Sequence, residues 1–283
     1  LTNVITSDLT LSPWLGTNDS FTLGYHFAPA DWYASNVVVT NATLTLTNGV
    51  HVLLGGAKGF QLDAGSRWVS TGSPFAPIRL VRASLVQVGT NGLTGSTFAA
   101  FTVGTGSPRP EITARFTHSL LPSESTGRRH WLNLASDRLA LLRLTDCQFA
   151  NVSLTLSPTA STEVQTAALT NNCFDGCRLY FYRYYDHNLT VGFQNNLVRR
   201  GECWASYYTQ ATQNPTWTVK DNLFDGASLS STSTNVVGGY NGYTAASATF
   251  GGSGNKTSLV TDYVVGPLGR FYYPATGTGS SLT

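Results

Sequence analysis

Apolar and polar residues alternate with a period of two along most of this chain. Val152, Leu154 and Leu156 form one such run, and residues 177–181 contain another. Side chains of a β-strand point alternately to its two faces, whereas a helix repeats its apolar residues every three or four positions. The pattern therefore predicts an all-β protein made of short strands that each bury one face.

A motif of an acidic or amide pair followed by an apolar pair recurs along the chain. It reads TNNCFDGCRL at 170–179, QNNLVRRGEC at 194–203 and KDNLFDGASL at 220–229. Taking its second apolar residue as an anchor gives Leu121, Phe149, Phe174, Val198, Phe224 and Tyr243. A repeat of about 20 to 50 residues indicates stacked structural units. We therefore predict a solenoid in which each repeat is one coil of short strands.

The polar residues of the motif predict how the coils turn and stack. Two positions before the anchors stand Ser119, Cys147, Asn172, Asn196, Asn222 and Asn241. Three positions before them stand His118, Asp146, Asn171, Asn195 and Asp221. Asn and Asp tolerate the left-handed backbone conformation, which suits a recurring tight turn. Side-chain amides stacked about 4.8 Å apart can also bond from coil to coil, so an asparagine ladder is expected.

These features resemble the right-handed parallel β-helix of secreted pectate-lyase-like proteins. The front part, LTLTNGVHVLLGGAKGFQLDAGSRWVSTGSPFAPIRLVRA, is similar to the opening coils of bacterial surface β-helices. The tail DYVVGPLGRFYYPATGTGSS looks like a segment that follows such helices in long, repeat-rich bacterial exoproteins. The resemblance implies a right-handed parallel β-helix within a large secreted protein. A β-sandwich also has many short strands, but it does not usually repeat one turn chemistry at matching offsets.

The resemblance also suggests how the chain is divided. Residues 36–250 are expected to form the parallel β-helix, and residues 251–283 an irregular C-terminal extension or linker. Residues 1–35 fit no coil, so we expect them to form an N-terminal cap over the first exposed sheet edge. The chain begins with Leu1 and contains no Met, which suggests that it is part of a longer polypeptide.

The amino-acid composition indicates where the protein is located and which classes of partner it binds. The chain is 41% hydrophobic but only 11% charged, so Thr, Ser, Asn and Gly must cover much of its surface, as in secreted or cell-surface proteins. A net charge of +2 without a basic block argues against nucleic acid as a partner. No apolar run approaches the roughly 18 to 20 residues of a membrane span.

Four cysteines permit three disulfide pairings if all are bridged. The repeat places Cys177 and Cys203 two positions out of register, and Cys147 and Cys173 one position out. Because bridged Cα atoms lie about 5.5 Å apart, we expect buried free thiols instead. No metal site and no cofactor are expected, since no second cysteine or histidine pair accompanies CFDGC.

The repeat register predicts a carbohydrate-binding surface on the outside of two neighbouring coils. Its residues are Arg178, Tyr180, Tyr182 and Trp204, with Tyr185 in the loop that follows. Aromatic faces pack against the apolar faces of sugar rings, and charged neighbours orient hydroxyl groups. A glycan surface is therefore the expected partner. The alternative is that these aromatic residues only stabilise the sheet by cross-strand contacts.

Candidate catalytic residues are few. Glycoside hydrolysis needs two carboxylates, for which Asp186 and Glu202 are candidates, whereas Asp175 and Asp225 occupy turn positions. A lyase needs a base, for which His187 and Arg199 are candidates. The chain contains no catalytic signature motif, and β-helices serve in many roles. We therefore expect a structural, adhesive or carbohydrate-binding module, with a polysaccharide lyase or glycoside hydrolase as the alternative and enzymatic activity undecided.

Overall fold

The computed structural model describes residues 4–5, 10–11, 30–83, 98–121, 129–134, 139–156, 165–183, 189–207, 217–231, 236–244, 248–259, 264–265 and 271–272. In these ranges the chain winds into a right-handed parallel β-helix with three parallel sheets as its walls, as the sequence predicts. Each coil contributes one strand to sheet 1, then one to sheet 2 and one to sheet 3. None of these ranges contains a helix long and apolar enough to span a membrane.

The strands of each wall follow the chain in order. Sheet 1 consists of Val4–Ile5, Val37–Thr40, Lys58–Leu62, Ala99–Val103, Arg129–Leu134, Val152–Leu156, Arg178–Arg183, Glu202–Tyr207 and Ser228–Ser231. Sheet 2 consists of Thr43–Thr47, Arg67–Thr71, Glu111–Arg115, Leu141–Thr145, Gln165–Thr170, Leu189–Gln194, Trp217–Lys220 and Val236–Gly239. Sheet 3 consists of Thr10–Leu11, Trp32–Ala34, His51–Leu54, Ile78–Arg82, Thr117–Leu120, Gln148–Ala150, Cys173–Asp175, Leu197–Arg199, Leu223–Asp225 and Gly242–Tyr243.

The predicted register holds from Phe149 onward. In sheet 3 the anchors pair in sequence, Phe149 with Phe174, then Val198, Phe224 and Tyr243. The first predicted anchor, Leu121, is wrong because Ser119 pairs with Phe149 instead. Leu121 lies just beyond the end of strand Thr117–Leu120. Thr117, and not Ser119, therefore occupies the ladder position of that coil.

The interior is a continuous apolar core with a column of aromatic rings. Trp131 packs edge-on against Phe149 with 5.3 Å between ring centroids, and Phe149 stacks on Phe174 at 5.2 Å. The column continues through Phe193 to Phe224 and Tyr243. Burying one such side chain contributes about 1.5 to 3 kcal/mol. The stacked rings thus bind each coil to the next.

An asparagine ladder runs beside this column, as predicted. The backbone N–H of Asn172 donates to Oδ1 of Asn196 at 2.9 Å, and the N–H of Asn196 donates to Oδ1 of Asn222 at 2.9 Å. Each side-chain amide also donates to a main-chain carbonyl, such as Asn196 Nδ2 to Leu169 O at 3.0 Å. These side chains are buried, so the ladder pairs polar groups that would otherwise be costly inside the core.

The residues that precede the ladder form left-handed corners between sheets 2 and 3. Asp146, Asn171, Asn195 and Asp221 have φ between 53° and 58°, as their types predict. Their side chains form a second row, in which Asn171 Nδ2 donates to Asp146 Oδ1 at 2.5 Å and Asn195 Nδ2 to Asn171 Oδ1 at 3.2 Å. Both rows repeat once per coil and hold successive corners in line.

Additional segments cover both ends of the solenoid. At the N-terminal end, Val4–Ile5 pairs antiparallel with Val37–Thr40, and Thr10–Leu11 pairs antiparallel with Trp32–Ala34. At the C-terminal end, Asn255 accepts a hydrogen bond from the Asn241 N–H at 3.0 Å and donates to Phe250 O at 2.9 Å. The ladder therefore ends on a loop that folds back on itself. Farther on, Val264–Val265 pairs antiparallel with Phe271–Tyr272.

Candidate functional site

The predicted surface lies on the outside of sheet 1. Strands Arg178–Arg183 and Glu202–Tyr207 pair in parallel, with Arg178 opposite Glu202 and Tyr180 opposite Trp204. The alternate residues of these strands, Leu179, Phe181, Cys203 and Ala205, are buried in the core. Because strand side chains alternate between faces, burial of this set turns the aromatic and charged set outward.

The aromatic patch consists of Tyr180, Tyr182 and Trp204, all half-buried. The rings of Tyr180 and Tyr182 lie on one strand with 5.8 Å between centroids and only 3° between their planes. The Trp204 ring lies on the next coil, 5.8 Å from Tyr180 and tilted by 59°. Two nearly parallel rings and one tilted ring thus form a continuous aromatic surface across two coils.

A salt bridge borders the aromatic patch. Arg178 Nε lies 3.2 Å from Glu202 Oε2, and the two side chains are 44% and 28% exposed. The guanidinium carbon of Arg178 also lies 5.7 Å from the centre of the Trp204 ring and 6.0 Å from that of Tyr180. Such distances allow a cation–π attraction. The aromatic contacts and the ion pair together fix the guanidinium at the edge of the patch.

His130 lies on the same face as Arg178, with Ser153 between them in the column of paired residues. Burial, and after it the positive charge of Arg178, lower the pKa of His130 below its ordinary value. The imidazole is therefore neutral at neutral pH. Arg178 is the charged partner of this pair under those conditions.

Of the four residues that the sequence suggested for catalysis, the structure describes Arg199 and Glu202, which lie on different sheets. Arg199 belongs to sheet 3, where it lies 3.4 Å from Asp175 and 3.7 Å from Asp225. Glu202 belongs to sheet 1 and pairs with Arg178. A left-handed corner at Arg200, with φ of 51°, divides the two walls. Tyr185, Asp186 and His187 lie outside the described residues, so the structure brings together Arg178, Tyr180, Tyr182, Glu202 and Trp204.

Four cysteine thiols are free, as expected from the register. Cys147, Cys177 and Cys203 are buried, and Cys173 is partly buried. Burial raises the pKa of the Cys147, Cys173 and Cys203 thiols to about 12. Thiols of this kind are poor nucleophiles and poor metal ligands. Within the described ranges, no cluster of three or more His, Cys, Asp or Glu residues is arranged to hold a metal ion.

A polar network that sequence reasoning missed lies on the same face of sheet 1, in the first coils. Asp63 accepts hydrogen bonds from Gln61 Nε2 at 2.8 Å and from Thr40 Oγ1 at 3.2 Å, and Lys58 Nζ bonds to Gln61 Oε1. The alternating polar residues of KGFQLD could have indicated this face. The early coils lack the Asn-based motif, however, so the sequence does not reveal their register.

Comparison with protein-family models, with curated proteins and with solved structures finds no match to this chain.

Proposed function

We propose that this chain is a secreted or cell-surface module that binds carbohydrate on sheet 1 and uses the β-helix as a rigid support. The observation that carries the proposal is the half-exposed aromatic patch beside the Arg178–Glu202 ion pair. A sugar ring has apolar C–H faces and a polar rim, so it suits an aromatic surface bordered by hydrogen-bonding groups.

The scaffold supports this proposal because it holds the patch in place before a ligand arrives. Tyr180, Tyr182 and Trp204 stand on strands whose backbones are paired on both sides in sheet 1. The alternate residues of these strands, on the opposite face of the sheet, are buried in the core. Ordering side chains on binding costs about 0.5 to 1.5 kcal/mol for each flexible residue. A surface that is already ordered avoids much of that cost.

The location and the adhesive role rest on composition and on the resemblance. Only 11% of the residues are charged, and Thr, Ser and Asn cover the walls of the described coils. A long, stiff solenoid of this kind is suited to hold a binding face away from a cell or within a larger secreted protein. We regard a bacterial exoprotein as the parent polypeptide.

A pull-down on insoluble polysaccharides tests the proposal. Trp204→Ala is expected to reduce the retained fraction, raising the apparent Kd about tenfold, because it removes the largest ring of the patch. The matched control is Phe75→Ala, which removes a ring that is 91% exposed and lies away from sheet 1. Thermal unfolding of both variants checks that they are folded.

Equal retention of the Trp204→Ala variant and the parent protein would contradict the proposal, as would an equal loss in Phe75→Ala. The same incubations are monitored for new unsaturated or reducing sugar ends. Their appearance would favour the lyase or hydrolase alternative on this face.

A further inference from the structure

We infer that the patch selects neutral over acidic sugars and that Glu202 sets this selection by occupying Arg178. The inference rests on the proposed carbohydrate-binding function and specifies its ligand class. Among the described side chains on the outside of sheet 1, the permanent cations are Arg178 and Lys58. Lys58 bonds to Gln61 in an early coil, far along the solenoid from Trp204. Within the described part of the surface, Arg178 is thus the cation next to the patch.

The parallel pairing of two strands fixes Glu202 beside Arg178. The two residues are direct partners in the sheet, and Nε and Oε2 lie 3.2 Å apart. A sugar carboxylate that approached the guanidinium would also approach the carboxylate of Glu202. It would have to displace Glu202 or accept repulsion from a like charge at short range. An acidic sugar gains little from Arg178 in this arrangement.

His130 does not restore a positive charge at neutral pH. Its pKa is lowered, and it faces Arg178 across Ser153 in the same column. Ser153 is buried and carries no charge. Among the described side chains, the charged and titratable groups beside the patch are therefore one neutralised ion pair and one neutral imidazole.

The same pair suits the hydroxyl groups of a neutral sugar. Arginine offers five N–H donors and no acceptor, and a carboxylate offers only acceptors. A sugar with adjacent hydroxyls can accept from Arg178 and donate to Glu202 without breaking the ion pair. Aromatic contact with Trp204 and Tyr180 then supplies apolar burial next to these hydrogen bonds.

Affinity electrophoresis at pH 7 and low salt tests the inference. The gels contain either neutral polysaccharide (β-glucan, arabinoxylan or galactomannan) or polygalacturonate. We expect the parent protein to be retarded by at least one neutral polymer and not by polygalacturonate. Glu202→Gln should gain retardation by polygalacturonate, with the apparent Kd falling about tenfold, because it frees Arg178 without changing the shape of the side chain.

The control for net charge is Glu111→Gln. Glu111 forms an equivalent ion pair with Arg67 at 3.0 Å, but on sheet 2. Glu111→Gln removes the same negative charge away from the patch. Its retardation by each polymer, measured against its own mobility in a polymer-free gel, should therefore equal that of the parent. Trp204→Ala in the Glu202→Gln background should abolish the gained binding, which ties that binding to the patch.

Each outcome has a defined meaning. Retardation of the parent by polygalacturonate as strong as by a neutral polymer overturns the inference and leaves the proposed function standing. Equal behaviour of Glu202→Gln and Glu111→Gln also overturns the inference. Failure of the parent to bind any of these polymers overturns the proposed function and the inference with it.

Discussion

At the scale of single residues, space beside the backbone decides which positions of a coil require glycine. Gly201 stands at the corner between sheets 3 and 1, where a Cβ atom would lie 2.4 Å from the carbonyl oxygen of Cys177. Gly192 lies in a strand of sheet 2, where the nearest atom to an added Cβ is Ala167 O at 4.0 Å. The two glycines therefore have different roles although both lie inside the repeat.

Replacing each glycine by alanine tests this difference. Gly201→Ala should lower the free energy of unfolding by about 1 to 3 kcal/mol, because the backbone of two stacked coils must separate to admit the methyl group. Gly192→Ala should leave it unchanged or raise it by about 0.4 to 1 kcal/mol, since alanine restricts the unfolded chain. Urea denaturation measures both values. Equal stability of the two variants would show that the corner adjusts freely.

At the scale of the structural element, the ladder connects neighbouring coils. The buried side chains of Asn172, Asn196 and Asn222 each bond to the main chain of the preceding coil and to the Asn side chain of the next. Asn196 accepts from the N–H of Asn172 and donates to Leu169 O and to Asn222 Oδ1. A residue that lacked these groups would leave the Asn172 N–H without an acceptor in the core. An unsatisfied buried group of this kind costs about 1 to 3 kcal/mol.

Asn196→Leu should therefore reduce the free energy of unfolding by about 3 kcal/mol, as measured by chemical denaturation at equilibrium. Gln194→Ala, two residues earlier, is the control because its side chain is exposed. It should change stability by less than about 0.5 kcal/mol. A loss for Asn196→Leu no larger than that of the control would remove the ladder from the forces that stabilise this fold.

The elements that repeat an Asn-based motif were predictable, and those without it were not. Asn171, Asn195 and Asp221 carry the turn conformation. Asn172, Asn196 and Asn222, each one residue later, carry the ladder hydrogen bonds, so the spacing of these pairs reveals the register. Thr117–Leu120 has no asparagine, and Leu120 with Leu121 imitates the apolar pair of the motif. The predicted anchor was therefore displaced by two residues.

The candidate site was likewise only partly predictable from the sequence. Tyr180 and Trp204 were found to be neighbours because they share one offset in the repeat. Arg199 and Glu202 are close in sequence, yet a corner at Arg200 assigns them to different walls. Arginine is an unusual residue for a left-handed backbone, so its type does not indicate the corner. A pattern of residue types can therefore locate strands more readily than the bends between them.

At the scale of the whole molecule, each coil contacts its neighbours and the apolar core runs through all the described coils. Stability in such a solenoid is close to a sum over coils and their interfaces. Cys147, Cys173, Cys177 and Cys203 lie in neighbouring coils. Their rate of alkylation therefore reports local opening in the middle of the solenoid.

In the native protein these thiols should resist alkylation by iodoacetamide at pH 8. Burial raises the pKa of Cys147, Cys173 and Cys203 to about 12, which leaves almost no thiolate on them at that pH, and the Cys177 side chain is buried. All four should be modified in denaturant without a reducing agent, because no disulfide links them. Mass spectrometry counts the adducts. Rapid modification of native Cys147 or Cys203 would show that the coils open readily, and a mass consistent with a bridge would contradict the free thiols.

The direction of the buried ladder affects how this chain can be completed during synthesis. Every backbone N–H in the row finds its acceptor on the coil that is translated afterwards, from Asn172 to Asn196 and finally from Asn241 to Asn255. In a nascent chain, the ladder N–H of the last completed coil therefore has no hydrogen-bond acceptor until the next coil is made. Within the described residues the row ends at Asn255, whose side-chain amide donates to Phe250 O and Gly252 O of its own loop.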